Sequence, residues 1–172
     1  DDALLYLEQV VTGDKDKERV LQCRFILAII YCQSDRKRLA DFELKKLLDT
    51  GYKPSSVYAA LGYIAWEQSQ IEQSIEYYQK ALGSDPNNPT ALNGLGFVLA
   101  CENRDLAKAL AYCKRALEIL PKNAAFLDSV GWVYYKLGMI EDSIKYLKQA
   151  MDIAGDNNEI SAHYRQVSAQ IS

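Results

Sequence analysis

Residues 55–88 read SSVYAALGYIAWEQSQIEQSIEYYQKALGSDPNN, and the pattern of this stretch recurs along the chain. Laying Leu61-Gly62 on Leu95-Gly96 and Val130-Gly131 spaces the glycines by 34 and 35 residues. Ala81, Ala116 and Ala150 recur at 35 and 34; so do Tyr78, Cys113 and Leu147, and Pro86, Pro121 and Gly155 close each stretch at the same steps. The period is therefore 34, with one residue added in the third copy. Gly62 to Ser74 and Gly131 to Ser143 each span 12 residues, whereas Gly96 to Ala109 spans 13, so the extra residue is assigned to the turn Glu102-Asn103-Arg104-Asp105. One more step of 34 toward the N-terminus lands on Ala28, Tyr31, Ala40, Leu44 and Leu47, each of a suitable type, and a fourth, degenerate copy precedes the other three. Self-similarity at a fixed period of this length is the signature of a repeat architecture.

Within each copy, two stretches of about 13 residues carry helical apolar spacing with a polar turn between them, so each copy is a helical hairpin. Small residues at Ala28, Gly62, Gly96 and Gly131 let the first helix approach its partner closely, and Ala81, Ala116 and Ala150 do the same for the second. Ser84-Asp85-Pro86-Asn87-Asn88-Pro89 ends one hairpin and starts the next, with Pro89 suited to a first helical turn.

An apolar-small pair, an aromatic or apolar residue three on, then Ala or Ser, an apolar residue four on and a closing Pro: this pattern resembles the tetratricopeptide repeat. The second copy carries it as Tyr58, Leu61, Gly62, Ala65, Ser74, Tyr78, Ala81 and Pro86. The fourth has Leu127, Val130, Gly131, Tyr134, Ser143, Leu147 and Ala150 but puts Gly155 where proline is usual; the first has Ala28 for the glycine and Tyr52 for the proline. The resemblance divides the chain into repeats 21–54, 55–88, 89–123 and 124–157. It implies an all-α fold, a right-handed α-solenoid of helix-turn-helix repeats. Residues 1–20, with Ala3, Leu7 and Val10 before the polar loop Thr12 to Lys17, read as the end of a preceding degenerate repeat, so the parent chain is expected to continue upstream. Residues 158–172 read as a capping helix, with the stripe Ile160, Tyr164 and Val167 facing inward and Ser161, Arg165, Gln166 and Gln170 outside it.

The 172 residues are 49% hydrophobic and 25% charged with a net charge of −3, an ordinary globular balance without the basic excess that draws a protein to nucleic acid or anionic lipid. The most apolar run, Phe25 to Tyr31, is far shorter than the about 18 residues of a membrane-spanning helix. The opening Asp1-Asp2-Ala3-Leu4 carries no signal-peptide feature and reads as an excised fragment or a mature product. Cys23, Cys32, Cys101 and Cys113 have neither metal-ligand nor redox-motif spacing; read as unpaired thiols, they favour a reducing compartment such as the cytoplasm.

No catalytic motif is present, and the single histidine, His163, reads as a partly exposed residue on the surface of the terminal helix. Gly155-Asp156-Asn157-Asn158-Glu159 lacks the ligand spacing of a calcium loop, and Arg36-Lys37-Arg38 reads as an exposed turn. No enzyme activity, cofactor or metal is expected.

In such solenoids the first helices line a concave face. Carried over from the family, the positions that point into it include Phe25 and Ile29; Tyr63 and Trp66; Asn93 and Phe97; and Asp128, Trp132, Tyr135 and Lys136. Tyr63 and Trp66, like Trp132 and Tyr135, are three residues apart and share one side of a helix, offset from the packing stripe. Lining a groove and filling space between successive first helices are the two readings of these aromatics. Relatives that grip the C-terminal carboxylate of chaperones resemble one another in a set of lysines, arginines and asparagines on this face. Here Phe25, Ile29, Ala59, Tyr63 and Asp128 hold those places, with Asn93 the one amide among them, so that clamp is missing.

The expected role is a non-catalytic scaffold or adaptor that binds an apolar or aromatic peptide or helix of another protein. The alternatives are a substrate-recruiting or regulatory domain of a larger enzyme or assembly, and a self-associating scaffold. A second resemblance covers the stretch Leu127 to Tyr135 together with Glu159-Ile160-Ser161-Ala162-His163. These look like the terminal repeat and cap of bacterial envelope-associated adaptors, which opens the periplasm as a second compartment.

Overall fold

The hairpin pattern is realised as ten helices in the computed structural model, which describes residues 2–155 and 157–170. Asp1, Asp156 of the Asp/Asn-rich loop, and Ile171 and Ser172 at the end of the expected cap lie outside the described residues. The helices are α1 (Asp2–Gly13), α2 (Lys17–Gln33), α3 (Lys37–Asp49), α4 (Pro54–Glu67), α5 (Ile71–Ser84), α6 (Pro89–Cys101), α7 (Leu106–Ile119), α8 (Ala124–Lys136), α9 (Ile140–Ala154) and α10 (Asn158–Ser168). No strand occurs among the described residues. None of these helices is long and apolar enough to cross a membrane.

The chain divides between Asp85 and Pro86 into two compact units. In the first, α2 pairs with α3 and α4 with α5, while α1 packs on α2. Its core joins Leu7, Leu27, Ala28, Tyr31, Leu44, Leu47, Val57 and Leu61. Two polar ties cross it: Arg24 pairs with Glu43, and the Tyr31 hydroxyl donates to Glu8 at 2.7 Å. Burial and the neighbouring Glu8 push the Tyr31 phenol up to about 12, so it stays a donor. In the second unit α6 pairs with α7 and α8 with α9, and α10 lies against α8 and α9. Val130, Val133, Ala109 and Cys113 form its centre, and Ile160 of α10 closes over Leu127 and Ala150.

The glycines sit at the helix crossings. A Cβ on Gly62 would lie 2.8 Å from the Tyr78 ring; on Gly96, 2.5 Å from Cys113 Sγ and 2.7 Å from the Ala109 carbonyl oxygen; on Gly131, 2.7 Å from Leu147 Cγ. Two crossings are also hydrogen-bonded, since Ser74 Oγ donates to the Gly62 carbonyl and Ser143 Oγ to that of Gly131, each at 2.8 Å. Ala109 stands where the third hairpin would carry such a serine.

All four hairpin turns close the same way. The second residue past the helix end takes a left-handed backbone: Asp35 (φ 57°), Ser69 (59°), Asn103 (52°) and Gly138 (76°). The following N–H then reaches back five residues, from Arg36 to Tyr31, Gln70 to Ala65, Arg104 to Leu99 and Met139 to Tyr134, at 2.8–2.9 Å. This is the long-range bond that satisfies a helix-end carbonyl in a Schellman turn. Three turns have three residues, and that between α6 and α7 has four, 102–105. Because Asn103 keeps the left-handed place, the additional residue follows it, at Arg104 or Asp105. Deleting Asp105 is therefore expected to restore the three-residue turn and shift stability by less than about 1 kcal/mol. Deleting Val98 rotates the end of α6 by one position, exposes its apolar side and disrupts the hairpin. Urea melts of the two variants check this, and equal damage would put the extra residue inside a helix.

All four thiols are free, with Cys23 and Cys113 buried and Cys32 and Cys101 half-buried. Burial pushes Cys32 and Cys101 up to about 11 and Cys113 to about 12. These three are protonated at pH 8 in the native chain, and only the thiolate attacks. Their reaction with Ellman's reagent is expected to be at least about tenfold slower in buffer than in urea at pH 8; equal rates would show that the thiols are open.

Candidate protein-binding face

In the first unit, the α4 stripe Leu61, Gly62, Ile64 and Ala65 is buried, and the helix turns Tyr63 and Trp66 to its other side. Tyr63 is 45% exposed, and Trp66 is half-buried. On α2, Phe25 and Ile29 are half-buried. Phe25 leans toward the α3–α4 connection, its ring 6.4 Å from that of Tyr52, with the Lys53 ammonium 5.8 Å from the Phe25 ring and 5.3 Å from that of Tyr52. At the start of α3, Lys37 bonds Asp35 and Glu67, each at 3.2 Å. These bonds hold its ammonium above the usual lysine range, so the Arg36-Lys37-Arg38 turn is partly neutralised.

In the second unit the expected residues converge on α10. Trp132 stacks on the His163 ring at 4.3 Å between centroids and 24° between planes. Tyr135 tilts against the same indole at 5.1 Å, the Lys136 ammonium sits 5.3 Å from its centre, and Phe97 lies 6.3 Å from His163. His163 Nδ1 is 2.9 and 2.8 Å from the two carboxylate oxygens of Asp128. The Tyr135 hydroxyl accepts from Gln166 Nε2 at 3.4 Å and from Gln170 Nε2 at 3.1 Å. Asn93, one turn before Phe97 on α6, keeps a buried Oδ1 without a hydrogen-bond partner among the described residues. The buried Trp132 Nε1 also lacks an oxygen or nitrogen partner among them, and its N–H acts on the Cys101 sulfur.

Phe97, Asp128, Trp132, Tyr135 and Lys136 are thus gathered in one place, but two of them are closed off: Asp128 is 5% and Trp132 9% exposed. The cause is α10. His163, read from sequence as a partly exposed surface residue, has a side chain only 15% exposed and bridges to α8. Its register explains this, because stepping back by the period from His163 meets Ser129, Gly94, Ala60 and Ile26. Asn88, Asn123 and Asn157, spaced 35 and 34 apart, cap α6, α8 and α10 through their side chains. α10 therefore stands as a fifth first helix, with a large imidazole where the three preceding copies carry a small residue. That period was the signal available for His163. Gln166 and Gln170 lie outside the apolar stripe and gave none. Among the described residues no group of three or more His, Cys, Asp or Glu side chains is placed to hold a metal ion.

Two tetratricopeptide repeat models match the chain, one over residues 59–124 and one over 124–157. Comparison with curated proteins gives no match. Among solved structures, a chain of the APC/C hetero-tetramer Cut9–Hcn1 superimposes with a TM-score of 0.87 at 20% identity, over 99% of this chain and 34% of that one. This chain therefore spans about a third of that protein's length. YrrB, described as a repeat protein with an unusual peptide-binding site, gives 0.61 at 21% identity over 96% of this chain and 82% of its own. The first repeat domain of Spaghetti (RPAP3), bound to the HSP90 peptide SRMEEVD, gives 0.61 at 19% over 69% and 93%. The two matched models together run from residue 59 to 157, and the helix pairs, crossing glycines and turns repeat on the same period, so the chain belongs to the tetratricopeptide repeat family.

Proposed function

We propose that this chain is a non-catalytic scaffold that holds an apolar or aromatic segment of a partner protein on its first helices. The observation that carries the reading is on α4: Tyr63, 45% exposed, stands one turn from Trp66 on a helix whose remaining large apolar side chains are buried or half-buried. Trp and Tyr are the side chains that most often dominate binding energy, and an open tyrosine beside a half-buried tryptophan is a ready anchor. Phe25 and Ile29 extend the apolar character onto α2. In the second unit Phe97, Tyr135 and Lys136, with Asn93, stand at the corresponding positions, while Asp128 and Trp132 lie beneath His163 of α10. Structural relatives with bound or named peptide sites support a protein-interaction role. The basic set that would grip a carboxylate is absent from this face, which favours apolar side chains as the ligand.

The test is affinity capture from the native source with wild type beside Tyr63→Ala and Trp66→Ala. A protein retained by wild type and lost from both variants supports the reading; identical retention overturns it. A second reading, a recruiting domain within a larger protein or assembly, is favoured by the span of only a third of the Cut9–Hcn1 chain. The same capture distinguishes the two, since a recruiting domain brings a substrate of the attached activity. Light scattering addresses self-association.

A further inference from the structure

We propose that α10 is a releasable occupant of the α8 face, latched by His163 on Asp128 and Trp132, and that a partner reaching Trp132 and Tyr135 displaces it. Its second half rests on the protein-binding reading above. Three features of α10 carry it.

The first is where it sits. The residues it covers are those of α8 that the repeat pattern turns toward a ligand: the Asp128 carboxylate on His163, the Trp132 ring under the imidazole, and the Tyr135 hydroxyl on Gln166 and Gln170. The second is how it is held. Only Ile160 and Val167 of its 11 residues are buried, whereas nine consecutive residues of α8, Phe126 to Tyr134, are buried. Ile160 packs on Leu127 of α8 and Ala150 of α9, and beyond that α8 holds the helix through side-chain polar contacts and the Trp132–His163 ring stack. A helix this short is marginal by itself and persists through its contacts, so few apolar contacts mean a low local opening free energy. The third is its chemistry: an imidazole occupies the register that Ala60, Gly94 and Ser129 fill with small groups. A small group projects little from its helix, whereas the imidazole reaches the Asp128 carboxylate and the Trp132 ring of α8. Removing either partner of the pair leaves the other's polar group without its mate in a site that admits little water.

The latch is tested without any partner. Trp66 and Trp132 are the two tryptophans of the chain, so in a Trp66→Phe background the emission reports Trp132 alone. His163→Ala and Asp128→Asn in that background are each expected to raise acrylamide quenching of Trp132 at least threefold. Amide exchange across 158–168 should quicken at least tenfold while the buried amides of α8 and α9 exchange as before. No change in either readout overturns the latch, and so does an equal acceleration in α8 and α9, which makes the pair a brace of the whole hairpin. Occupancy is tested with a synthetic peptide of residues 157–170. The 172-residue chain carrying Ala162→Pro, which breaks the tethered helix, should bind it at least tenfold more tightly than wild type does; equal affinities overturn the claim that α10 can be replaced. These results stand apart from the protein-binding reading, which fails instead if Tyr63→Ala and Trp66→Ala leave partner capture unchanged.

Discussion

Gly96→Leu and Gly131→Leu are each expected to lower stability by about 3 kcal/mol or more, at the upper end of what overpacking costs, and Gly62→Leu by about 1–3 kcal/mol. The order follows from what a side chain meets. At Gly96 the first carbon beyond the backbone already falls 2.5 Å from Cys113 Sγ and 2.7 Å from a main-chain oxygen, Ala109 O. An oxygen of a packed helix moves only if the helix moves. At Gly131 the obstacle is the branch point of Leu147, with that residue's own backbone nitrogen at 3.2 Å, so the second helix must again shift. At Gly62 the obstacle is the ring of Tyr78, a side chain able to swing, although burial leaves it little room. Displacing α5 or α9 also stretches the Ser74–Gly62 or Ser143–Gly131 hydrogen bond, which adds about 1 kcal/mol where a buried acceptor is left unmade. Guanidinium melts of the three variants and wild type measure the ranking. Coincident midpoints would show that these glycines are not at crossings, and a Gly62 effect larger than that at Gly96 would show that the backbone contact does not decide the cost.

The two tryptophans are expected to part company. Trp132→Ala removes a ring that is 9% exposed and stacked on His163 and Tyr135, so it should cost about 3–5 kcal/mol of folding free energy, as a core aromatic does. It also frees the end of α10, which should be visible as faster exchange there. Trp66→Ala removes a half-buried ring and should cost clearly less in folding, while weakening partner binding by about 2 kcal/mol or more if the ring is an anchor. Thermal melts read the first quantity for both variants, and titration of a captured partner reads the second. Comparable folding losses at both positions would remove Trp66 from the binding face and leave the helical array untouched.

Much of this was legible in the residues. The hairpins follow from a 34-residue period in Gly62, Gly96 and Gly131 and in the alanines at 81, 116 and 150. A repeat carries its own controls, since an apolar or small residue found at one place in several copies must serve one packing role. The family resemblance, carried over residue by residue, marked the positions offset from that packing. Tyr63 and Trp66 are both offset from the Leu61-Gly62-Ala65 stripe, and that offset is local helical geometry, which spacing alone predicts.

What spacing could not decide is whether a neighbouring helix covers such a residue. Tyr63 and Trp132 occupy matching places one step beyond the crossing glycine, yet one is 45% exposed and the other 9%. The difference lies in α10 and the residues just after it, since His163, Gln166 and Gln170 reach α8 from 31 to 35 residues away. The turn register shows the same limit at smaller scale: the extra residue was confined to 102–105, but its place after Asn103 was set by which residue took the left-handed backbone. Period and helix face are properties of a segment and its covalent geometry. Cover, pairing and cap are properties of which segments meet, and for Asp128, Trp132 and His163 only the packing of α10 on α8 decides them.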